Sequence, residues 1–315
     1  MENITNLAQF AVEKAASLGA ETVETSIGEN LNFSVNVRNS DVETLTESVS
    51  NYIHILVSIG SKRASSTSSD LSRESIAQLA ADAVRLCQIM EQDEYYRLPD
   101  RNELGSASED LQIFNPGITE MGTDRKIEIA RELEDIALKK DRRILIDQSS
   151  YSSSVTKVAI ANSLGFCDSY KKSYNSALLS CAVEDNTDGQ NKGKKQSSFW
   201  YSSAISFQQL RPLEEIASEA VKRTLRKIGG IKPKTCRVPV VFDPITAGGF
   251  LGSISNAVRG KNIYRKSSFL AGMLEQKIAP SILTVIDNPL MPGRLGSRPF
   301  DSEGGISRKN TVIEK

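Results

Sequence analysis

Histidine is almost missing from this 315-residue sequence, with His54 as its single instance. A catalytic metal usually takes three protein ligands, and a serine or cysteine nucleophile usually needs an imidazole base, so neither centre has its ordinary parts here. Cysteine is also scarce. Cys87, Cys167, Cys181 and Cys236 stand far apart with no CxxC pair, which excludes a zinc knuckle and a disulfide framework and reads as isolated reduced thiols. No apolar run approaches the roughly 18 residues that a membrane helix needs; the best, residues 52–57, is strand length. The opening MENITNLAQFAVEKAASLG carries Glu2 and Glu13 and lacks a basic stretch followed by an apolar one, so no secretory signal is expected, and a cytoplasmic location is. Charge of one sign is lacking too: 39 basic and 39 acidic side chains leave no net field for phosphate, and a dedicated nucleic-acid binder is not expected. P-loop, GxGxxG and GxSxG patterns are all absent.

What is present is ordinary globular material, 39% hydrophobic and 25% charged. Residues 5–18 carry Leu7, Ala8, Ala11, Ala15 and Leu18 at helical spacing, with Gly19 as the stop. The period then falls to two. Val23, Thr25 and Ile27, then Phe33, Val35 and Val37, alternate with polar residues up to the turn cluster Asn39-Ser40-Asp41, and strands over 42–49 and 52–59 continue a meander. The serines of 65–69 lead into a helix with Ile76, Leu79, Ala80, Ala83, Leu86 and Met90 on one stripe. Pro and Gly punctuate 91–122, marking a linker. A second helix–strand unit follows: a helix over 124–140, strands at 144–146, 155–161, 166–183 and 197–203, and a lysine-bearing hairpin over 185–196. Next comes a helix after Pro212, with acids early and bases late, that ends at Gly229-Gly230. An apolar strand over 238–242, the turn Asp243-Pro244 and a helix over 246–258 open a third unit. No internal repeat is evident. These patterns predict an α+β fold of antiparallel sheets flanked by helices, with divisions at 1–115, 116–230 and 231–315.

Chemistry is thin. Glycines at 248, 249 and 252 precede or enter a helix, yet no Lys-Ser/Thr follows them. Asp301 and Glu303 form an acidic pair able to face a hard cation, and a turn accounts for them equally. His54 lies within a strand and reads as structural.

The segments "LGAETVETSIGENLNFSVNVRNSDVETLTESVS", "SFWYSSA", "VVFDPITAGGFLGSI" and "LGSRPFDSEGG" resemble the TldD/PmbA family, on its PmbA (TldE) side, over essentially the whole chain. The resemblance implies a subunit of a cytoplasmic metalloprotease assembled with a TldD-like partner that acts on extended or modified peptides; the older family name is modulator of DNA gyrase. TldD-type subunits carry an HExxxH helix in which two histidines bind zinc and a glutamate activates water. Placed on this sequence, that motif falls on residues 252–257. Gly252 and Ala257 then stand where zinc ligands would be, and Ser253 where the base would be. The resemblance therefore implies a non-metal subunit, with no cofactor of its own, no catalytic residue and no membrane partner. Arg298, Asp301 and Glu303, in the glycine-rich signature, are candidate cleft residues. The alternatives are a peptide-binding or regulatory module without proteolysis, and an independent hydrolase using Asp301 and Glu303 with a metal. Relative to the family pattern the chain looks truncated inside a β-rich last domain, and residues 307–315 are expected to form a strand with an open edge.

Overall fold

The computed structural model describes residues 3–93, 98–187 and 192–314. By contacts the chain forms two compact units, Met1–Gly230 with Asn288–Lys309, and Ile231–Asp287 with Asn310–Lys315.

The first unit is built on a six-stranded antiparallel sheet. Helix α1 (Ile4–Ser17) is capped by Asn3, whose side chain accepts from Thr5 N–H at 3.0 Å. It leads into β1 (Thr22–Arg38), β2 (Asp41–Ile59), β3 (Lys62–Ser68) and α2 (Arg73–Ile89). After the short α3 (Gly117–Glu120) the order recurs: α4 (Thr123–Lys140), β4 (Leu145–Asn162), β5 (Cys167–Asp185), β6 (Lys194–Ala204) and α5 (Leu213–Leu225). Sheet order is β3-β2-β1-β4-β5-β6, so two helix–three-strand–helix halves meet at an antiparallel β1–β4 seam. An internal repeat thus exists that the sequence does not display.

Alternation puts Val23, Ile27, Ile53, Ile55 and Val57 on one face under α1 and α2, and Phe33, Val35, Val37, Tyr151, Leu179 and Cys181 under α4 and α5. Alanines at 8, 11, 15, 80 and 83, and at 130, 137, 217 and 220, let the helices lie close to the sheet. Each fully buried Ile or Leu in these clusters contributes roughly 1.5–3 kcal/mol. The second core also holds a satisfied polar chain: Tyr151 Oη donates to Asn175 Oδ1 (2.6 Å), whose Nδ2 donates to the Ile205 carbonyl (2.9 Å).

Several expected boundaries differ. Residues 42–49 and 52–59 are one strand, because Ser50 and Asn51 pair directly with Asn30 and Glu29 and no turn intervenes. Residues 144–146 and 155–161 fuse into β4, with a register shift between Ile146 and Gln148. The serines of 65–68 are the edge strand β3, facing Leu56 to Ile53, rather than a lead into the helix. Part of the 185–196 hairpin, residues 188–191, lies outside the described residues; Lys194 and Lys195 belong to β6.

In the second unit α6 (Pro244–Ala257) starts at Asp243, whose carboxylate accepts from Thr246 N–H at 2.9 Å. α7 (Gly260–Tyr264) follows, and β7 (Val285–Asp287) pairs with β8 (Asn310–Ile313). The strand expected over 307–315 is thus shorter and has a partner on one side. The strand expected at 238–242 does not form: Val238, Val240 and Val241 are exposed and pair with no strand among the described residues. No described helix is long and apolar enough to cross a membrane.

Candidate functional site

The face of the sheet opposite the helices carries the residues that alternate with the core. Register fixes its rows: Tyr52, Gly28, Val158 and Tyr170 lie side by side, then Ser50, Asn30, Thr156 and Lys172, then Ser48, Asn32, Ser154 and Tyr174. Thr46, Ser34, Ser152 and Ser176 follow, and then Thr44, Asn36, Ser150 and Leu178. Beyond Lys172 these rows hold no charged side chain. Apart from Gly28, Val158 and Leu178, the other residues carry hydroxyls or amides, giving donors and acceptors without a fixed sign. The Tyr52 ring lies across β1, occupying the space above Gly28, where any Cβ would clash with it.

One end of this face is covered by residues 288–309. Phe300, 1% exposed, packs with Ile160 and Phe166 and sits 5.1 Å, edge to face, from each of the Phe166 and Tyr170 rings. Asn162 Nδ2 donates to the Glu303 carbonyl (3.1 Å), and the Lys172 ammonium donates to the Leu295 carbonyl (2.9 Å). Burial and then the neighbouring Arg298 charge push the Lys172 ammonium below its ordinary value. Burial raises the Tyr170 phenol, and Arg298 opposes that shift. Arg298 is exposed.

The Asp301 carboxylate closes its own turn. Asp301 Oδ1 accepts from Glu303 N–H (2.9 Å) and Gly305 N–H (2.8 Å), closing a turn in which Gly304 has φ +87° and no room for a Cβ against the Phe166 ring. Burial, and then the Asp301 charge, raise the Glu303 carboxyl above its ordinary value.

Arg298, Asp301 and Glu303 are therefore brought together in one segment of the first unit. Gly252, Ser253 and Ala257 lie on α6 of the second unit, where the Ser253 hydroxyl donates back to the Gly249 carbonyl at 3.1 Å. That donor set does not fit a zinc centre: two positions lack side-chain heteroatoms and the third is engaged by its own helix. Among the described residues no three His, Cys, Asp or Glu side chains gather as a metal site. His54 lies on the open face between Ser26 and Thr67, its imidazole lowered by burial. Tyr52, Tyr170 and Lys172 were not singled out from the sequence. The alternating Asn30, Asn32, Ser34, Asn36 and Ser150, Ser152, Ser154, Thr156 were the signal available there.

Models of three successive domains match: PmbA/TldA metallopeptidase domain 1 over residues 23–87, the central domain over 116–228 and the C-terminal domain over 235–315. The chain belongs to the PmbA/TldD family. Within that family, the metalloprotease PmbA homolog of Buchnera aphidicola subsp. Acyrthosiphon pisum is 29% identical over 99% of this chain and 68% of its own length. The metalloprotease PmbA of Escherichia coli O157:H7 is 28% identical over 95% of this chain and 65% of its own. The chain thus spans about two thirds of the length of these PmbA relatives. A crystal structure described as a modulator of DNA gyrase from Bacteroides thetaiotaomicron has the same fold, with a TM-score of 0.90 at 24% identity, covering 100% of this chain and 70% of that one.

Proposed function

We propose that this chain is the PmbA/TldE-type, non-metal subunit of a cytoplasmic protease, holding an extended peptide while a TldD-like partner supplies the zinc chemistry. The observation that carries the reading is the donor set on α6: at Gly252, Ser253 and Ala257 no imidazole can hold a metal and no carboxylate can take a proton from water. The uncharged polar face supports it from the substrate side. Rows of hydroxyls and amides offer hydrogen bonds to main chain of any sequence, as a subunit that orients unfolded polypeptide requires.

The test is an assay of an unfolded peptide with this chain, with a TldD-like subunit, and with both. Cleavage is expected only with both, accompanied by zinc that stays with the partner after dialysis. Chelator-insensitive cleavage by this chain alone, or about one tightly held zinc per chain, overturns the reading.

A further inference from the structure

Lys172 and Arg298 lie close enough for the Arg298 charge to act on the Lys172 ammonium. The Lys172 ammonium is fixed over the sheet by the Leu295 carbonyl at 2.9 Å. Three residues along the same segment stands Arg298, and two further Phe300 anchors the chain 5.1 Å from the Tyr170 ring, which keeps the exposed Arg298 near enough for its charge to act on both Lys172 and Tyr170. Neither cation has an ion pair among the described residues. The acid next along the segment, Asp301, already accepts two backbone N–H groups at 2.8 and 2.9 Å. Tyr52 reaches in across Gly28, in the same row as Tyr170, which adds phenolic donors. Like charges near one another disfavour each other unless an anion joins them, and Arg with Lys is a donor set suited to a carboxylate.

The position of this cluster says which carboxylate. On one side the uncharged rows run from Asn30 to Asn36, long enough at the rise of a strand for roughly six to eight extended residues. On the other side the face over β4 and β5 is shut, because Phe300 is buried on Ile160 and Phe166 and Asn162 is tied to Glu303. A chain lying over β4 and β5 along the strand direction therefore meets the 288–309 segment at Lys172. We propose that Lys172 and Arg298, with the Tyr52 and Tyr170 hydroxyls, form an end-stop that takes the C-terminal carboxylate of an extended peptide. This rests on the peptide-holding reading above and adds polarity to it: the substrate's C-terminus lies at the 288–309 segment and its N-terminal direction runs toward the Asn39-Ser40 hairpin end.

The experiment measures binding of three N-terminally labelled octapeptides of Ser, Ala and Gly to the full chain by fluorescence anisotropy. One carries a free C-terminus, one is amidated, and one is amidated with an internal Glu. The free acid is expected to bind about tenfold or more tighter than either amide, the scale of one charge-assisted contact. Arg298→Gln, a change at an exposed residue, should erase that difference while leaving the melting temperature unchanged; Lys172→Met should do the same with some loosening of the 288–309 segment. Equal binding of acid and amide overturns the end-stop and leaves peptide holding intact. Tight binding of the internal Glu peptide alone reassigns the cations to acidic side chains and overturns it too. No binding of any peptide overturns the peptide-holding reading itself.

Discussion

The two halves of the sheet share an element order but protect themselves differently. In the second half the edge of β5 beyond β6 is covered by the preceding connection: Ser173 N–H donates to the Ile113 carbonyl (3.0 Å), Asn115 N–H to Ser173 Oγ (2.9 Å), and Lys171 lies 3.9 Å over the Phe114 ring. In the first half β3 reaches only residues 53–59, and β2 from 41 to 50 is exposed, with Val42, Leu45 and Val49 open to solvent. Asp41, Glu43 and Glu47 punctuate that stretch, and Glu43 is paired with Arg38. Covering an edge satisfies its amides, whereas charging it merely makes a second strand unwelcome. The lesson is that one topology can keep an edge solitary by either route, and that the charged route leaves the backbone available.

The turns differ as well. The β4–β5 turn is held by its own Asn162, whose Oδ1 accepts from Leu164 N–H (3.0 Å) and Phe166 N–H (3.2 Å). The β1–β2 turn, with Asn39 at φ 54° and Ser40 at φ 62°, is held from outside by Glu134 of α4, a fully buried carboxylate whose Oε1 accepts from Ser40 N–H at 2.8 Å while Oε2 has no partner.

The largest effect expected from breaking this contrast is Phe300→Ala, which empties the pocket between Phe166 and Tyr170 and should cost about 3–5 kcal/mol locally. Hydrogen exchange should rise in residues 98–111 and 288–309 and stay unchanged under α1 and α2; uniform loosening would mean that the halves are not separable. Glu134→Ala comes next. It strands the Ser40 N–H and should cost about 1–3 kcal/mol in denaturant unfolding, with exchange rising at the β1–β2 hairpin and not at the β4–β5 turn. Glu134→Gln should recover most of that loss.

Ser40→Gly is expected to act in the opposite direction, stabilising by about 0.4–1 kcal/mol because glycine accepts the left-handed turn that serine resists. A lower melting temperature would show that the serine is held by more than its backbone. The smallest effects are pH-dependent and differ in sign between the halves. The folded state lowers His54, so it disfavours the imidazolium, and stability should fall as pH drops through about 6.5, the unfolded value. Glu303 is raised, so its contribution is present at low pH and fades as pH climbs through its folded value. His54→Gln should flatten the first dependence and Glu303→Gln the second in melting temperature against pH; curves that shift together would contradict the assignment.

Much of the first unit was legible from pattern. Leu7, Ala8, Ala11 and Ala15 at helical spacing, and Phe33, Val35 and Val37 at period two, report local geometry with a single buried face, and that geometry is what formed. Pairing was not legible. Ser50-Asn51 resembles a turn cluster, yet continues a strand because β1 offers it partners, while 238–242 has strand composition and forms none, no described residue pairing with it. Burial of Phe300 far back along the chain is a long-range event with no local signature. For the same reason Arg298 was reached only through resemblance, and Lys172, Tyr170 and Tyr52 only through register.

The β1–β4 seam has a kinetic consequence. Every other contact in the sheet joins neighbours in sequence through a hairpin, but Val37 meets Ser149 and Glu24 meets Asn162 across more than a hundred positions. Hairpins close in roughly microseconds, whereas pairings of such separation wait on a far larger search. Each meander should therefore be assembled beneath its own helices before the seam zips. Until it does, two bare inner edges coexist in one molecule, and the time spent in that state sets how exposed a nascent chain is to pairing with the wrong copy of itself.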